Sequence, residues 1–217
     1  MKVAILAGGL GTRLGDLARD LPKPMVPIGK RPFLELVIES FAERGLKDIV
    51  LLTGHRAEVI EKHFEDGSRF GVRIEYSRER EPLGTAGAVR QARPMLGDRF
   101  LLTYGDVLRR FDYDRFVRAH DEPCLAVYER ISAGNTDVEG DRVVRFDKRA
   151  PELPYIDAGF CVMPASVIDW LPQRGSFEEI VFSRLAKERQ LGVEIVDHNF
   201  YEIGTPDELA KTRKALA

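Results

Sequence analysis

Apolar residues fall into two kinds of stretch along this chain: short unbroken runs, and longer segments in which they recur every three or four positions. The first run, Val3–Leu6, ends in glycines, as a buried parallel strand does where it meets a turn. A helical rhythm over Phe33–Arg44 follows, then a strand-like run at Asp48–Thr53, a helix at Ala57–Phe64 and a strand at Arg73–Tyr76. Thr85–Ala92 reads as a helix, and Arg99–Thr103 as a strand that runs into Tyr104-Gly105-Asp106. This alternation predicts a mostly parallel sheet with helices on both faces. After about residue 120 the rhythm changes. Cys124–Tyr128, Arg142–Phe146 and Ala158–Met163 read as strands without long helices between them, and Gly140-Asp141 as a hairpin turn. An antiparallel extension on one side of the sheet is therefore expected. Helices over Phe177–Arg189 and Pro206–Leu216 end the chain, with Thr205 and Pro206 as an N-cap and first helical residue.

Composition narrows the partners. The 217 residues carry 33 Lys and Arg against 35 Asp and Glu, a formal balance of −2. Duplex-binding proteins usually show a basic surplus, so nucleic acid is not expected as the partner; an anionic small molecule needs only a few well-placed cations. At 44% hydrophobic residues, a chain of this length has enough apolar surface for one large core. No apolar run approaches the ~20 residues that cross a bilayer, and the run after Met1-Lys2 is too short for a signal peptide. The expectation is a cytoplasmic protein with no membrane partner. Cys124 and Cys161 stand in apolar contexts without zinc spacing and read as buried strand thiols. His55, His63, His120 and His198 show no paired spacing, and no catalytic role is assigned to them.

Candidate chemistry concentrates after the first strand. In Leu6-Ala7-Gly8-Gly9-Leu10-Gly11-Thr12-Arg13-Leu14 the glycines allow close backbone approach, so that N–H groups can face an anion. Arg13 adds a charge suited to gripping phosphate through paired hydrogen bonds. The loop is no Walker motif, because Gly-Lys-Ser/Thr is missing at the required offset. Nor is it a dinucleotide fingerprint, because Leu14 stands at the third glycine position. Lys23 lies between Pro22 and Pro24, where the backbone has little freedom. It reads either as a rigidly presented phosphate ligand or as a solvated loop lysine.

Five ordered segments resemble the sugar-1-phosphate nucleotidyltransferase family: the glycine loop through Leu14, Pro22-Lys23-Pro24, Glu81 to Gly87, Tyr104-Gly105-Asp106 and Ile203-Gly204-Thr205-Pro206. The match covers essentially the whole chain. Within the family, Ser176-Phe177-Glu178-Glu179 and the length are most similar to short bacterial heptose-1-phosphate guanylyltransferases, while Asp66 to Gly71 and the Pro82 to Ala88 segment also resemble N-acetylmuramate-1-phosphate uridylyltransferases. The resemblance implies a Rossmann-like α/β fold forming one domain over residues 1–217. Its nucleotide-binding part covers about 1–120, its sugar-binding part about 121–205, and a closing helix 206–217. It leaves no length for the appended β-helix of longer relatives.

The implied reaction joins a nucleoside triphosphate (NTP) and a sugar 1-phosphate into an NDP-sugar, releasing pyrophosphate, with Mg²⁺ as cofactor. GTP with a heptose-type sugar is the first expectation and a UTP-dependent enzyme the second; a catalytically weak nucleotide-sugar-binding subunit is a further alternative. A homodimer is compatible with the family. The resemblance puts Leu6, Ala7, Gly8, Gly9, Gly11, Thr12, Arg13, Lys23, Glu81, Pro82, Gly84 and Thr85 against the nucleotide. Arg13, Lys23 and Asp106 carry catalysis, with Arg13 on the departing pyrophosphate and Lys23 at the α-phosphate. Asp106 and Glu202 are the implied metal ligands; Glu202 stands where the family usually has Asp, so its carboxylate reaches one methylene further. Gly105, Asp147, Lys148, Gly159 and Glu178 are implied on the sugar phosphate, with Lys148 meeting the phosphate and Asp147 a hydroxyl. A solvated charge pair at Asp147-Lys148 and a capping box from Ser176 to Glu179 are the plainer readings of those segments.

Overall fold

The computed structural model describes residues 1–9, 11, 14, 21–130, 133–197 and 199–216. Strand β1 (Lys2–Leu6) is the first apolar run, with Val3, Ala4 and Ile5 fully buried. The short strands β2 (Pro27–Ile28) and β3 (Arg31–Pro32) lead into helix α1 (Phe33–Ala42), which buries Phe33, Leu34, Val37, Ile38 and Phe41, the inward stripe of a 3.6-residue repeat. Then come β4 (Asp48–Thr53), α2 (Ala57–Phe64), β5 (Arg73–Arg78), α3 (Gly84–Leu96) and β6 (Arg99–Tyr104), each close to its expected place. The chain continues through β7 (Val107–Arg109), α4 (Tyr113–Ala119), β8 (Cys124–Glu129), β9 (Thr136–Glu139), β10 (Arg142–Phe146) and β11 (Tyr155–Pro164). It ends with α5 (Ser183–Lys187), β12 (Gly192–Ile195), β13 (Phe200–Glu202) and α6 (Pro206–Leu216).

The helix expected over Phe177–Arg189 is present to Lys187, but it is not α throughout. A π-turn over Glu178–Phe182 precedes α5, and this wider turn keeps Phe177, Val181 and Phe182 buried together with the Glu178 side chain. The N-cap before α6 is as expected: the Glu208 N–H donates to Thr205 Oγ1 at 3.3 Å. The short strands β7, β12 and β13, of three or four residues each, are too short to establish a period, and the seven-residue helix α4 was likewise not expected.

Two compact units interleave along the chain. The first comprises Lys2–Pro82, Tyr104–Asp114 and Asn199–Ala217; the second comprises Met1, Leu83–Thr103 and Arg115–His198. In the first, β5, β4 and β1 lie side by side, all parallel, with Val3 opposite Ile49 and Leu51 opposite Tyr76. An antiparallel pair, β13 with β7, sets Glu202 opposite Val107. In the second unit the order is β6-β11-β8-β12-β10-β9, antiparallel except for the β8–β12 pair. Parallel strands and an antiparallel extension are thus both present, and the change of rhythm near residue 120 falls inside the second unit. Cys124 and Cys161 are free and buried, as expected, and burial pushes the Cys124 thiol up to about 12. Among the described residues no helix is long and apolar enough to cross a membrane.

Candidate active site

The first unit presents the glycine loop and a cluster of carboxylates. Leaving β1, the Ala7 N–H donates to the Leu52 carbonyl at 2.8 Å, and the Gly8 carbonyl accepts from the His55 N–H at 3.3 Å, so Leu6 to Gly8 stay tied to the β4 side of the sheet. Gly9 is exposed, and Gly11 has φ +64° with its carbonyl accepting from the Leu14 N–H at 3.0 Å. Thr12 and Arg13, both expected on the nucleotide, lie outside the described residues, as does His198. Glu81 and Pro82 are exposed.

Lys23 is no solvated loop lysine. Pro22 is extended, and a tight turn over Lys23–Met25, closed by the Met25 N–H donating to the Pro22 carbonyl at 2.8 Å, buries the residue to 8% exposure. Its ammonium pairs with Asp106 Oδ2. Asp106 reaches that point because Gly105 lets the backbone pass close to β1: its N–H donates to the Leu6 carbonyl at 2.9 Å, and a Cβ there would stand 3.3 Å from that oxygen and from Leu34. The Asp106 carbonyl accepts from the Ile203 N–H at 3.2 Å, which fixes β13 beside it.

Glu202 is half-buried on β13, and Thr212 Oγ1 donates to its carbonyl at 2.7 Å, anchoring it to α6. Desolvation foremost, then the negative charges of Glu208 and Asp106, raise its carboxyl above the ordinary value; Lys23 and Arg109 oppose the rise. Arg109 is buried, with its guanidinium 4.5 Å over the Phe200 ring. No three His, Cys, Asp or Glu side chains converge into a ready-made metal cage among the described residues. Mg²⁺ seldom uses such a cage: it takes one or two carboxylates and completes its shell with phosphate oxygens and water. Asp106 and Glu202, hard oxygen donors in a neighbourhood of excess negative charge, fit that cation.

The second unit holds a different arrangement. Gly84 has φ +69°, and a Cβ there would run into the Gly175 carbonyl oxygen; that carbonyl accepts from the Ala86 N–H at 3.0 Å, while the Gly175 N–H donates to Leu83 at 3.1 Å. These contacts hold the start of α3 against residues 173–176. Thr85 Oγ1 consequently accepts from the Phe177 N–H at 2.8 Å and donates to Glu178 Oε2 at 2.9 Å. Thr85 was expected on the nucleotide; its hydroxyl is engaged inside this unit. Glu178, 2% exposed, also accepts from Ser176 Oγ at 2.6 Å and from the Lys148 ammonium at 3.2 Å. One half of the expected capping box is present, with the Glu179 N–H donating to Ser176 Oγ at 3.3 Å.

Lys148 is thus joined to Glu178 and not to its neighbour Asp147. The Asp147 carboxylate accepts from the Arg149 N–H at 2.9 Å and from Arg145 at 3.1 Å, which together hold its pKa below the usual value. Gly159 (φ +81°) sits where β11 shifts register against β8, its N–H donating to Asp157 Oδ1 at 2.7 Å and its carbonyl accepting from Thr103 Oγ1 at 3.2 Å. Sequence reasoning missed Ser176 as a partner of Lys148, and Arg109 and Glu208 as the charges around Glu202. The Ser-Phe-Glu-Glu run was a visible signal for the first; Arg109 and Glu208 had none.

The nucleotidyl transferase family profile matches residues 2–139. The chain is 32% identical over 216 residues to the D-glycero-α-D-manno-heptose 1-phosphate guanylyltransferase of Campylobacter jejuni, with 96% of each chain covered. It is 31% identical over 230 residues to the protein of the same name from Aneurinibacillus thermoaerophilus, covering 100% of this chain and 98% of that one. Its fold superposes on HddC from Yersinia pseudotuberculosis, in a crystal structure complexed with GMP-PN, with TM-score 0.86 and 26% identity over 100% of this chain and 99% of that one. With a profile matched over more than half its length and relatives aligned along nearly all of it, the chain belongs to the nucleotidyl transferase family.

Proposed function

We propose that this protein transfers GMP from GTP to a heptose-type sugar 1-phosphate, yielding a GDP-sugar and pyrophosphate. Base and sugar follow the two similar guanylyltransferases, both named for a heptose 1-phosphate. The chemistry needs no protein nucleophile. An oxygen of the sugar phosphate forms a bond to the α-phosphorus of GTP, the bond from that phosphorus to the bridging oxygen breaks, and pyrophosphate leaves with the electron pair. The protein has to bring two polyanions together and offset charge at the α-phosphate, the positioning and electrostatic roles that dominate phosphate transfer.

The observation that carries this reading is the pair of the buried Lys23 with the part-exposed Asp106, beside Glu202 and next to the β1 loop. Strand ends of α/β sheets are where such folds receive ligands. Asp106 and Glu202 would hold Mg²⁺, which when bound supplies charge neutralisation to phosphate oxygens. Lys23, freed from part of its pairing with Asp106 by a competing phosphate, places its ammonium against the nucleotide. Lys148 supplies the cation for the sugar phosphate.

The test is pyrophosphate release from the purified protein with Mg²⁺, each of the common nucleoside triphosphates, and a panel including heptose 1-phosphate and mannose 1-phosphate. GTP with the heptose phosphate is expected to give the highest kcat/KM. No release with any pair would end the proposal, and a preference for UTP would reassign the base.

A further inference from the structure

Glu178 is a carboxylate removed almost wholly from water, a costly placement unless every lone pair in use meets a donor. One of its oxygens, Oε2, receives Thr85 Oγ1 at 2.9 Å, Ser176 Oγ at 2.6 Å and Lys148 Nζ at 3.2 Å. Both hydroxyls are held in a single orientation. Each accepts a backbone N–H, from Phe177 at 2.8 Å for Thr85 and from Glu179 at 3.3 Å for Ser176, so its only proton is directed at Glu178. The backbone on either side is anchored too, since Phe177 and Val181 are fully buried.

Lys148 is the exposed member, with its side chain 42% exposed against 2% for Glu178. Its ammonium has three N–H donors. One meets Glu178, and a second faces Ser176 Oγ at 3.4 Å, a long contact in which the hydroxyl oxygen can only accept because its proton already serves Glu178. The third is left for a ligand. A half-exposed lysine without such a seat would lose rotamer entropy on being fixed in place by its ligand. Here a rigid carboxylate and a rigid hydroxyl have already restricted it.

We propose that Glu178, Ser176 and Thr85 are positioning residues that aim the Lys148 ammonium at the phosphate of the sugar substrate. This rests on the reaction proposed above and adds one role to it: Glu178, implied on the sugar phosphate by the resemblance, acts through Lys148. Thr85, at the start of α3, holds the same carboxylate oxygen as Ser176. It belongs to the same device even though its own hydroxyl contacts no lysine.

Two measurements test this, one with turnover and one without. In steady-state kinetics with GTP and heptose 1-phosphate, Ser176→Ala is expected to raise KM for the sugar phosphate about five- to tenfold while kcat and KM for GTP stay within about twofold; Ser176→Thr, which keeps the hydroxyl, restores it. An unchanged KM for the sugar phosphate, or an equal loss toward GTP, would overturn the proposal. Independently of activity, NMR of the lysine ammonium groups should show a slowly exchanging Lys148 signal in the wild type that is lost in Ser176→Ala and Thr85→Val, with melting temperature monitored to confirm folding. A Lys148 signal equally protected in both variants would overturn the proposal even if the enzyme is active. A wild type inactive with every substrate pair but with a protected Lys148 signal would refute the reaction and leave the positioning network standing.

Discussion

Two sets of carboxylates in this protein live under opposite electrostatic conditions. Glu178, in the second unit, is nearly inaccessible to water and saturated by a threonine, a serine and a lysine. Asp106, Glu202 and Glu208, in the first unit, stand near one another with Lys23 and Arg109 as the opposing cations, and burial foremost, then the two neighbouring negative charges, raises the Glu202 carboxyl. The first arrangement is complete within the protein and acts as a fixture. The second is left with surplus negative charge and part-accessible oxygens, a condition that a divalent cation relieves. In the proposed reaction, therefore, burial alone does not mark the acid that meets substrate; the more buried carboxylate has the positioning role.

That contrast predicts which substitutions disturb chemistry and which disturb the fold. The largest effect is expected at Asp106: Asp106→Ala should lower turnover by about a hundred- to a thousandfold, the scale of losing one preorganised electrostatic group. The protein should still fold, with a melting temperature lowered by the loss of the partner of the buried Lys23 ammonium. Wild-type rates from this variant would remove Asp106 from the reaction.

Next comes Glu178→Ala, which strands two part-buried hydroxyls and the Lys148 ammonium. A loss of about 2 kcal/mol is expected from donors left unsatisfied, or roughly 4–8 °C in melting temperature for a chain of this length. Thermal unfolding checks it. A variant as stable as the wild type would show that Glu178 is not the fixture described here.

The smallest effect is one of sign. A carboxyl raised in the folded state favours folding when protonated, so its contribution is fully present below the ordinary value of 4.5 and lost as pH climbs through the raised value. Glu202→Gln abolishes that loss. Without divalent cations, the variant should therefore melt roughly 1–2 °C above the wild type at neutral pH, a modest figure because the half-buried group is partly screened. The gap should close as pH falls toward 4.5. Equal or lower stability of the variant at neutral pH would mean the negative charges are already balanced.

Much of the first unit was legible in advance because its signals are local. A buried strand ending in glycines, a lysine between prolines and an aspartate closing an apolar run each declare themselves within a few residues, and α1, β4 and α2 begin where the apolar rhythm places them. The second unit was less legible. Its π-turn over Glu178–Phe182 widens part of a helix whose apolar spacing reads as regular α-helix, a local change of hydrogen bonding that the 3.6-residue period does not report.

Residue types, their order and the alternation of strands and helices are thus properties of the sequence by itself, and they carried the family and the identity of Lys23, Asp106, Lys148 and Glu178 as residues of interest. What those residues do to one another was decided by tertiary structure alone. Lys23 and Asp106 are 83 positions apart and Thr85 and Glu178 are 93 apart. Hydrogen bonds and charge interactions act over a few ångströms of space, a distance that no spacing along the chain reports. The sequence showed Asp147 and Lys148 as adjacent charges, yet the fold gives the aspartate to Arg145 and Arg149 and the lysine to Glu178.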